Sequence, residues 1–314
     1  VPHFDDHPAV RDHFTAIRIA DDADPGSADP QTLRTVAVRV AVAAAAHAAA
    51  RRPQVFASVG HAVRPTAAGP AAVDTKSTPT DPVTVVDTET ELLIRDQLAA
   101  LRPGDAILGE EGGGDSGPEG IRWVVDPIDG TVNFLYGIPA YAISVAAQID
   151  GVSVAGAVVD VAGGAVYSAA RGHGATLHEA DGAVHDLRCT GVTEVSMSLL
   201  ATGFGYAPAR RKRQGEVIAA LLPRVRDIRR IGSAALDLCM VAAGRVDAHF
   251  EHGLSPWDWA AGSLIAEEAG AVVRLPSPES SSADGDVTVA AAPGVAAALD
   301  DVLAGIGGLD PIPV

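Results

Sequence analysis

A chain of 314 residues is long enough for one large domain or two moderate ones around a full hydrophobic core. Its 47% hydrophobic content is ordinary for a water-soluble protein, and no uninterrupted apolar run reaches the roughly 20 residues of a membrane helix, which argues against a membrane role. The net charge of -17, from 40 acids against 23 bases, argues against direct nucleic-acid binding and poses a problem for any anionic substrate unless cations reverse the field locally.

Residues 1–30, which include Asp21-Asp22-Ala23-Asp24-Pro25-Gly26-Ser27, lack sustained apolar periodicity and are expected to form a flexible extension. A long amphipathic helix is predicted over about Leu33 to Arg51; without a basic leader it reads poorly as a signal segment. A second helix is predicted over Thr88 to Leu101, with Leu92, Leu93, Ile94 and Leu98 as its apolar face. Strand-like runs follow at Ile121 to Val125, Ala142 to Gln148, Val152 to Val159 and Gly164 to Ala169. Their short turns, among them Asp150-Gly151, point to an antiparallel meander.

After about Leu187 the pattern changes to strands alternating with helices. Strands are predicted at Ser198 to Thr202, Asp227 to Ile231 and Val246 to Phe250, with helices at Gln214 to Leu222, Ser233 to Ala243 and Trp259 to Ala269. Such alternation favours a parallel or mixed sheet covered by helices. The expected organisation is an α+β metal-binding unit over 31–187 and an α/β unit over 188–314 that completes the site. Two cysteines without metal-ligand spacing, Cys189 and Cys239, read as free thiols of a reducing compartment, hence a cytoplasmic protein. The polar stretch Ser277 to Gly285 reads as a surface loop.

The chemistry gathers in acids that end apolar runs or open helices. Asp126 and Asp129 lie three residues apart after Trp123-Val124-Val125, and Pro127 with Gly130 turns the chain so that both emerge at a strand's carboxyl edge. A surface hairpin would use similar residues, because Asp-Gly is a strong turn signal. Further acids favour the functional reading: Glu110 and Glu111 follow Ala106-Ile107-Leu108, Asp87 follows Val83-Thr84-Val85-Val86, and Asp258 precedes the apolar run from Trp259, where helix capping is an alternative role. Hard cations such as magnesium prefer carboxylate and carbonyl oxygens of this kind.

Gly-Glu-Glu at 109–111, Asp-Pro-Ile-Asp-Gly-Thr at 126–131 and Trp-Asp-Trp-Ala-Ala-Gly at 257–262, in that order, resemble the inositol monophosphatases of the lithium-sensitive, magnesium-dependent phosphatase superfamily. Within that family the chain looks most like the actinobacterial SuhB-type members, and the resemblance runs from about Thr35 to Ala304. The resemblance implies an α+β / α/β fold, the sugar-phosphatase-like layered αβαβα sandwich. It also implies two or three Mg2+ ions, Glu110, Asp126 and the Ile128 carbonyl holding one, and Asp126, Asp129 and Asp258 a second. Asp87 and Thr131 would orient and activate the water, with Glu110 contributing to catalysis. Gly130 and Thr131 would present backbone N–H groups to phosphate if they open a helix.

Substrate contacts implied by the resemblance are Asp129, Gly130, Thr131, Gly232, Ser233, Ala234 and Glu251, whose carboxylate would accept hydrogen bonds from inositol hydroxyls. Lys76 matches a lysine of the family's active-site loop, and a solvated loop lysine is an equal reading. The expected activity is Mg-dependent hydrolysis of inositol 1-phosphate. Fructose 1,6-bisphosphate, histidinol phosphate or 3′-phosphoadenosine 5′-phosphate would be the alternative small phosphate-ester substrates. A protein-binding role in transcription, a homodimer and lithium inhibition are also implied.

Overall fold

The computed structural model describes residues 26–56, 73–76, 82–114, 120–277 and 280–314. Most of the expected N-terminal extension and part of the Ser277 to Gly285 loop lie outside them. The described elements begin with α1 (Pro30–Val55), a short antiparallel pair β1 (Val73–Thr75) and β2 (Pro82–Thr84), and α2 (Val85–Leu101). Then come β3 (Ala106–Gly109), β4 (Ile121–Asp129), the short α3 (Thr131–Tyr136), β5 (Ala142–Ile149), β6 (Val152–Asp160), β7 (Val166–Ala170), β8 (Ala175–His178) and β9 (Val184–Asp186). The second half holds β10 (Leu199–Thr202), α4 (Pro208–Leu221), β11 (Asp227–Arg229), α5 (Ala234–Ala242), β12 (Ala248–His252), α6 (Pro256–Glu268), β13 (Val272–Arg274), β14 (Val287–Ala291) and α7 (Ala296–Gly305).

Strands β3 to β9 form a seven-stranded sheet in sequence order, parallel between β3 and β4 and antiparallel thereafter. The other large sheet has the order β11-β10-β12-β14-β13, with β10 parallel to both of its neighbours and β14 antiparallel to both of its own. Alternation along β4 explains the layering. Trp123 and Val125 face the core beneath α1 and α2, whereas Val124 faces the core around α5 and α6. A strand buried on both faces needs apolar residues at every position, which is why this run shows no polar alternation.

Helices α5 and α6 lie between the two sheets, and a third core beneath the outer helices contains Val217 and Leu221 of α4 and Leu299 and Leu303 of α7. The result is the layered αβαβα arrangement. Helix α1 is long and apolar enough by composition to cross a membrane, yet half of its most apolar window is buried inside the protein, against β5 and β6. Its buried residues Leu33, Val36, Val40, Ala44 and Ala48 recur at helical spacing. Val38 and Ala46, outside that stripe, are partly buried against the same core, so apolar residues surround much of the helix and the expected amphipathic contrast is weak.

Several sequence boundaries need correction. Helix α2 begins three residues earlier than expected because Thr84 caps it, accepting from the Val86 and Asp87 N–H groups. Leu92 is exposed rather than part of that helix's core face. Strand β4 runs on through Asp129 with a register shift between Asp126 and Asp129, so Pro127 makes an irregular strand end instead of terminating it. Helix α4 starts at Pro208, and α6 starts at Pro256. Strands β8, β9, β13 and β14 and helix α7 had no expectation attached to them.

Candidate active site

A cavity of about 650 Å³ opens where β4, β12 and the first turns of α3, α5 and α6 converge. Its lining includes Lys76, Glu110, Asp126, Ile128, Asp129 and Thr131 from the first half, and Gly232, Ser233, Ala234, Glu251 and Asp258 from the second. Residues separated by more than a hundred positions in sequence therefore share one wall. Of the expected site residues, Asp87 lies just behind this wall, fully buried.

The irregular end of β4 sets the centre. Asp126 accepts the Ile128 N–H through Oδ1 at 2.9 Å, and this local turn fixes its carboxylate. Asp129 is held from the other half: the Ser233 hydroxyl donates to its Oδ2 at 2.6 Å and the Ala235 N–H at 2.7 Å. Asp258 lies in the first turn of α6 and accepts the Ser255 N–H at 2.7 Å; Ser255, not Asp258, is the N-cap residue. One oxygen from each of Asp126, Asp129 and Asp258 falls within 4.8 Å of the others.

Gly130 joins β4 to α3 in the left-handed region, at φ 93°. A Cβ there would come 2.9 Å from the Ala140 carbonyl and 3.1 Å from that of Gly232, so a side chain is excluded by both strain and contact. Thr131 then opens α3, and its hydroxyl lies 3.0 Å from both Asp87 Oδ1 and the Ile128 carbonyl. The other oxygen of Asp87 accepts the Thr84 N–H at 3.0 Å and the Thr84 hydroxyl. The start of α2 thus carries Asp87 to the start of α3.

Electrostatics make the acidic centre unfavourable without a counter-ion. Burial, then repulsion from Glu110, Asp129 and Asp258, holds the Asp126 carboxyl well above the usual carboxylate range. Burial followed by the charges of Asp129 and Glu110 does the same to Asp258. Asp129 is pushed up to about 6 by burial, against the hydrogen bonds from Ser233 and Ala235. Asp87 reaches about 7 through burial, which the Thr84 hydrogen bond opposes. Oxygen-only donors, converging and driven toward protonation, have the character of a hard divalent-cation site. The donor set fits magnesium.

Glu110 also has a partner within the chain. Lys76 lies 2.7 Å from Glu110 Oε1 and 2.5 Å from Glu111 Oε1. Burial opposes the ammonium charge, but Glu110 and Glu111 outweigh it and hold Lys76 above its ordinary value. The lysine is therefore an ion-paired wall of the cavity, not a solvated loop residue. Glu91, which the sequence reading passed over, anchors the same loop by accepting the N–H groups of Glu111 at 2.7 Å and Gly112 at 2.8 Å.

Three further positions complete the description of the site. Ser233, an expected substrate contact, lines the cavity and donates its buried hydroxyl to Asp129. Trp257 lines the cavity, whereas Trp259 packs in the core. Arg230 was not singled out, yet it lines the cavity and its charge opposes the upward shifts of Asp129, Asp237 and Glu251. The only sequence signal for it was a base immediately before the Ile231-Gly232-Ser233 turn. Glu251 itself emerges from β12 and is pushed up to about 8 by burial, against the attraction of Arg230.

A model of the inositol monophosphatase family matches residues 30–305. The chain belongs to that family. It is 58% identical over 290 residues to the inositol-1-monophosphatase SuhB of Mycobacterium tuberculosis, covering 91% of this chain and 98% of the relative. The solved structure of Mycobacterium tuberculosis SuhB matches with a TM-score of 0.76 at 53% identity, covering 90% of this chain and all of that one. A Nus factor SuhB from Vibrio cholerae is 41% identical over 198 residues, 62% of this chain and 71% of the relative. The family is one of phosphatases, so this member of it is a phosphoric ester hydrolase acting on a small phosphate ester.

Proposed function

We propose that the protein hydrolyses inositol 1-phosphate to inositol and phosphate, with magnesium held by Asp126, Asp129 and Asp258 and by Glu110 with the Ile128 carbonyl. The observation that carries this reading is the convergence of the three aspartates in a cavity that Glu251 also lines. Magnesium held by these residues would neutralise phosphate charge and lower the pKa of water; two or three ions are expected.

The chain's own groups supply the remaining chemistry. Donating to Asp87 leaves the Thr131 oxygen free to accept a hydrogen bond from the attacking water, and Asp87 is placed to receive the proton through that hydroxyl. Water's oxygen bonds to phosphorus as the ester P–O bond breaks, and the leaving alkoxide takes up a proton from solvent water. The N–H groups at the start of α3 face the phosphate, with Gly130 allowing close approach. Gly232, Ser233 and Ala234 form the facing turn, and Glu251 accepts hydrogen bonds from the polyol hydroxyls. The two units divide at about residue 187, between the seven-stranded and five-stranded sheets.

The test is phosphate release from inositol 1-phosphate, fructose 1,6-bisphosphate, histidinol phosphate and 3′-phosphoadenosine 5′-phosphate, with magnesium and with EDTA. EDTA-sensitive release with preference for the inositol ester is expected. Preference for another ester discards the substrate, and release that survives EDTA discards the metal. Lithium inhibition, a homodimer and a cytoplasmic location belong to the same reading. The likeness to a Nus factor favours one second reading, a protein-binding role in transcription, for which the acidic surface suits a basic protein partner better than RNA.

A further inference from the structure

Strand β12 sends His249 and Glu251 to the same side, because they are alternate residues. Helix α5 brings Asp237 against the far edge of the imidazole. His249 Nδ1 lies 3.6 Å from Asp237 Oδ2, and Nε2 lies 4.0 Å from Glu251 Oε2. The three side chains are enclosed, at 1%, 0% and 12% exposure for Asp237, His249 and Glu251. Neither ring nitrogen has a hydrogen-bond partner, and neither does Asp237 Oδ1.

The strands beside His249 offer only methyl groups at its level, Ala201 on β10 and Ala290 on β14. A buried imidazole with both nitrogens unused is unfavourable unless those nitrogens become engaged. Both separations exceed a hydrogen bond, and movements of about 1 Å or less would close them to the usual N···O distance. Space for the carboxylate is already provided, since a Cβ at Gly203 would collide with the Glu251 carboxyl. Beyond this trio, the charged groups acting on it are Arg230 and Asp129.

We propose that Asp237 and His249 form a buried positioning relay for Glu251, in which one ring N–H donates to Glu251 Oε2 and orients the carboxylate toward the substrate hydroxyls. The proposal rests on the reading of Glu251 as the polyol acceptor. The direction of the relay follows from protonation. Burial depresses His249 to about 3, so the ring is neutral and carries one N–H. Burial, then the charges of Glu251 and Asp129, raises Asp237 well above the carboxylate range, so its carboxyl O–H donates to Nδ1. The single ring proton then sits on Nε2 and points at Glu251. His249 is a positioning residue that does not touch substrate, and its effect appears in substrate selection rather than in the hydrolytic step.

His249→Phe keeps the volume and removes both nitrogens. The expected result is a KM for inositol 1-phosphate raised about tenfold with kcat changed less than about threefold. For p-nitrophenyl phosphate, which has no polyol, the KM should change less than about twofold. Asp237→Asn retains a donor toward Nδ1 and should keep the wild-type KM, whereas Asp237→Leu should raise it. Adding His249→Phe to Glu251→Gln should raise KM no further than Glu251→Gln alone. Thermal melting of each variant establishes that it is folded, and the Asp237 pair carries the test if His249→Phe is not. An equal KM change for both esters, or no change for either, overturns the relay. Wild-type enzyme that hydrolyses p-nitrophenyl phosphate but shows no preference for the inositol ester overturns the polyol reading first, and the proposal with it.

Discussion

Ser233→Ala isolates the link between the two halves of the site. The hydroxyl donates to Asp129 Oδ2 at 2.6 Å, and its removal leaves the carboxylate with backbone N–H donors, among them Ala235 at 2.7 Å. A hydrogen bond to a charged group is worth about 1.5–3 kcal/mol, which corresponds to about one or two pKa units. Losing a donor to the ionised form raises the pKa, so Asp129 should move from about 6 to about 7 or 8. At pH 7 the proton then competes with magnesium, and apparent affinity should fall roughly two- to tenfold. At pH 9 both forms are ionised and the difference should close. Magnesium titrations of activity across this range, with calorimetry on the same samples, measure the effect. Ser233 also caps α5, accepting the Leu236 N–H at 3.3 Å, so stability should fall by about 1 kcal/mol at every pH. Ser233→Thr keeps the hydroxyl and should restore both properties. Unchanged magnesium affinity at pH 7 in a folded Ser233→Ala protein would refute the coupling.

Asp126→Asn should abolish metal-dependent turnover yet raise the melting temperature of the metal-free protein, because one of several mutually repelling buried acids is neutralised; turnover that survives removes Asp126 from the metal site, and a retained interaction with a protein partner would separate binding from catalysis. Magnesium binding should release protons at neutral pH, since Asp126 and Asp258 are held above the usual range and must ionise to bind. Calorimetry in two buffers of different ionisation enthalpy detects this, and identical heats would contradict it. Acid should destabilise the fold through the buried histidines. His249 is depressed to about 3 and His252 to about 4, both by burial first, from an ordinary value of 6.5. Between these limits the unfolded chain binds more protons at these two sites, so their contribution to stability is full above pH 6.5 and declines as pH falls, by several kcal/mol in total as an order of magnitude, against the opposite trend of the raised carboxyls of Asp87, Asp129 and Glu251. His249→Phe should flatten that slope in urea titrations, and an unchanged slope would mean that the histidine ionises freely.

The sequence by itself marked the middle strands of one sheet and the identity of the acids, and the layers followed from the family likeness. Apolar runs with period two or no period specified β4 to β7 of the seven-stranded sheet, and the order of the three acidic motifs pointed to the family. Those signals are local: a strand buried on both faces must be continuously apolar, and a hard-cation site must offer oxygen. Short edge elements such as β9 and β13 were not legible, because three residues carry too little pattern. Partnership among polar groups was likewise decided only by the tertiary structure. Nothing near Ser233 in sequence indicates that its hydroxyl serves Asp129, 104 residues away. The same holds for Lys76 on Glu110, Glu91 beneath the Glu111 loop, and His249 between Asp237 and Glu251. The residue types set which bonds were possible; the meeting of α5 and α6 with the end of β4 selected among them, because a buried polar group takes its partner from whatever packing brings within reach.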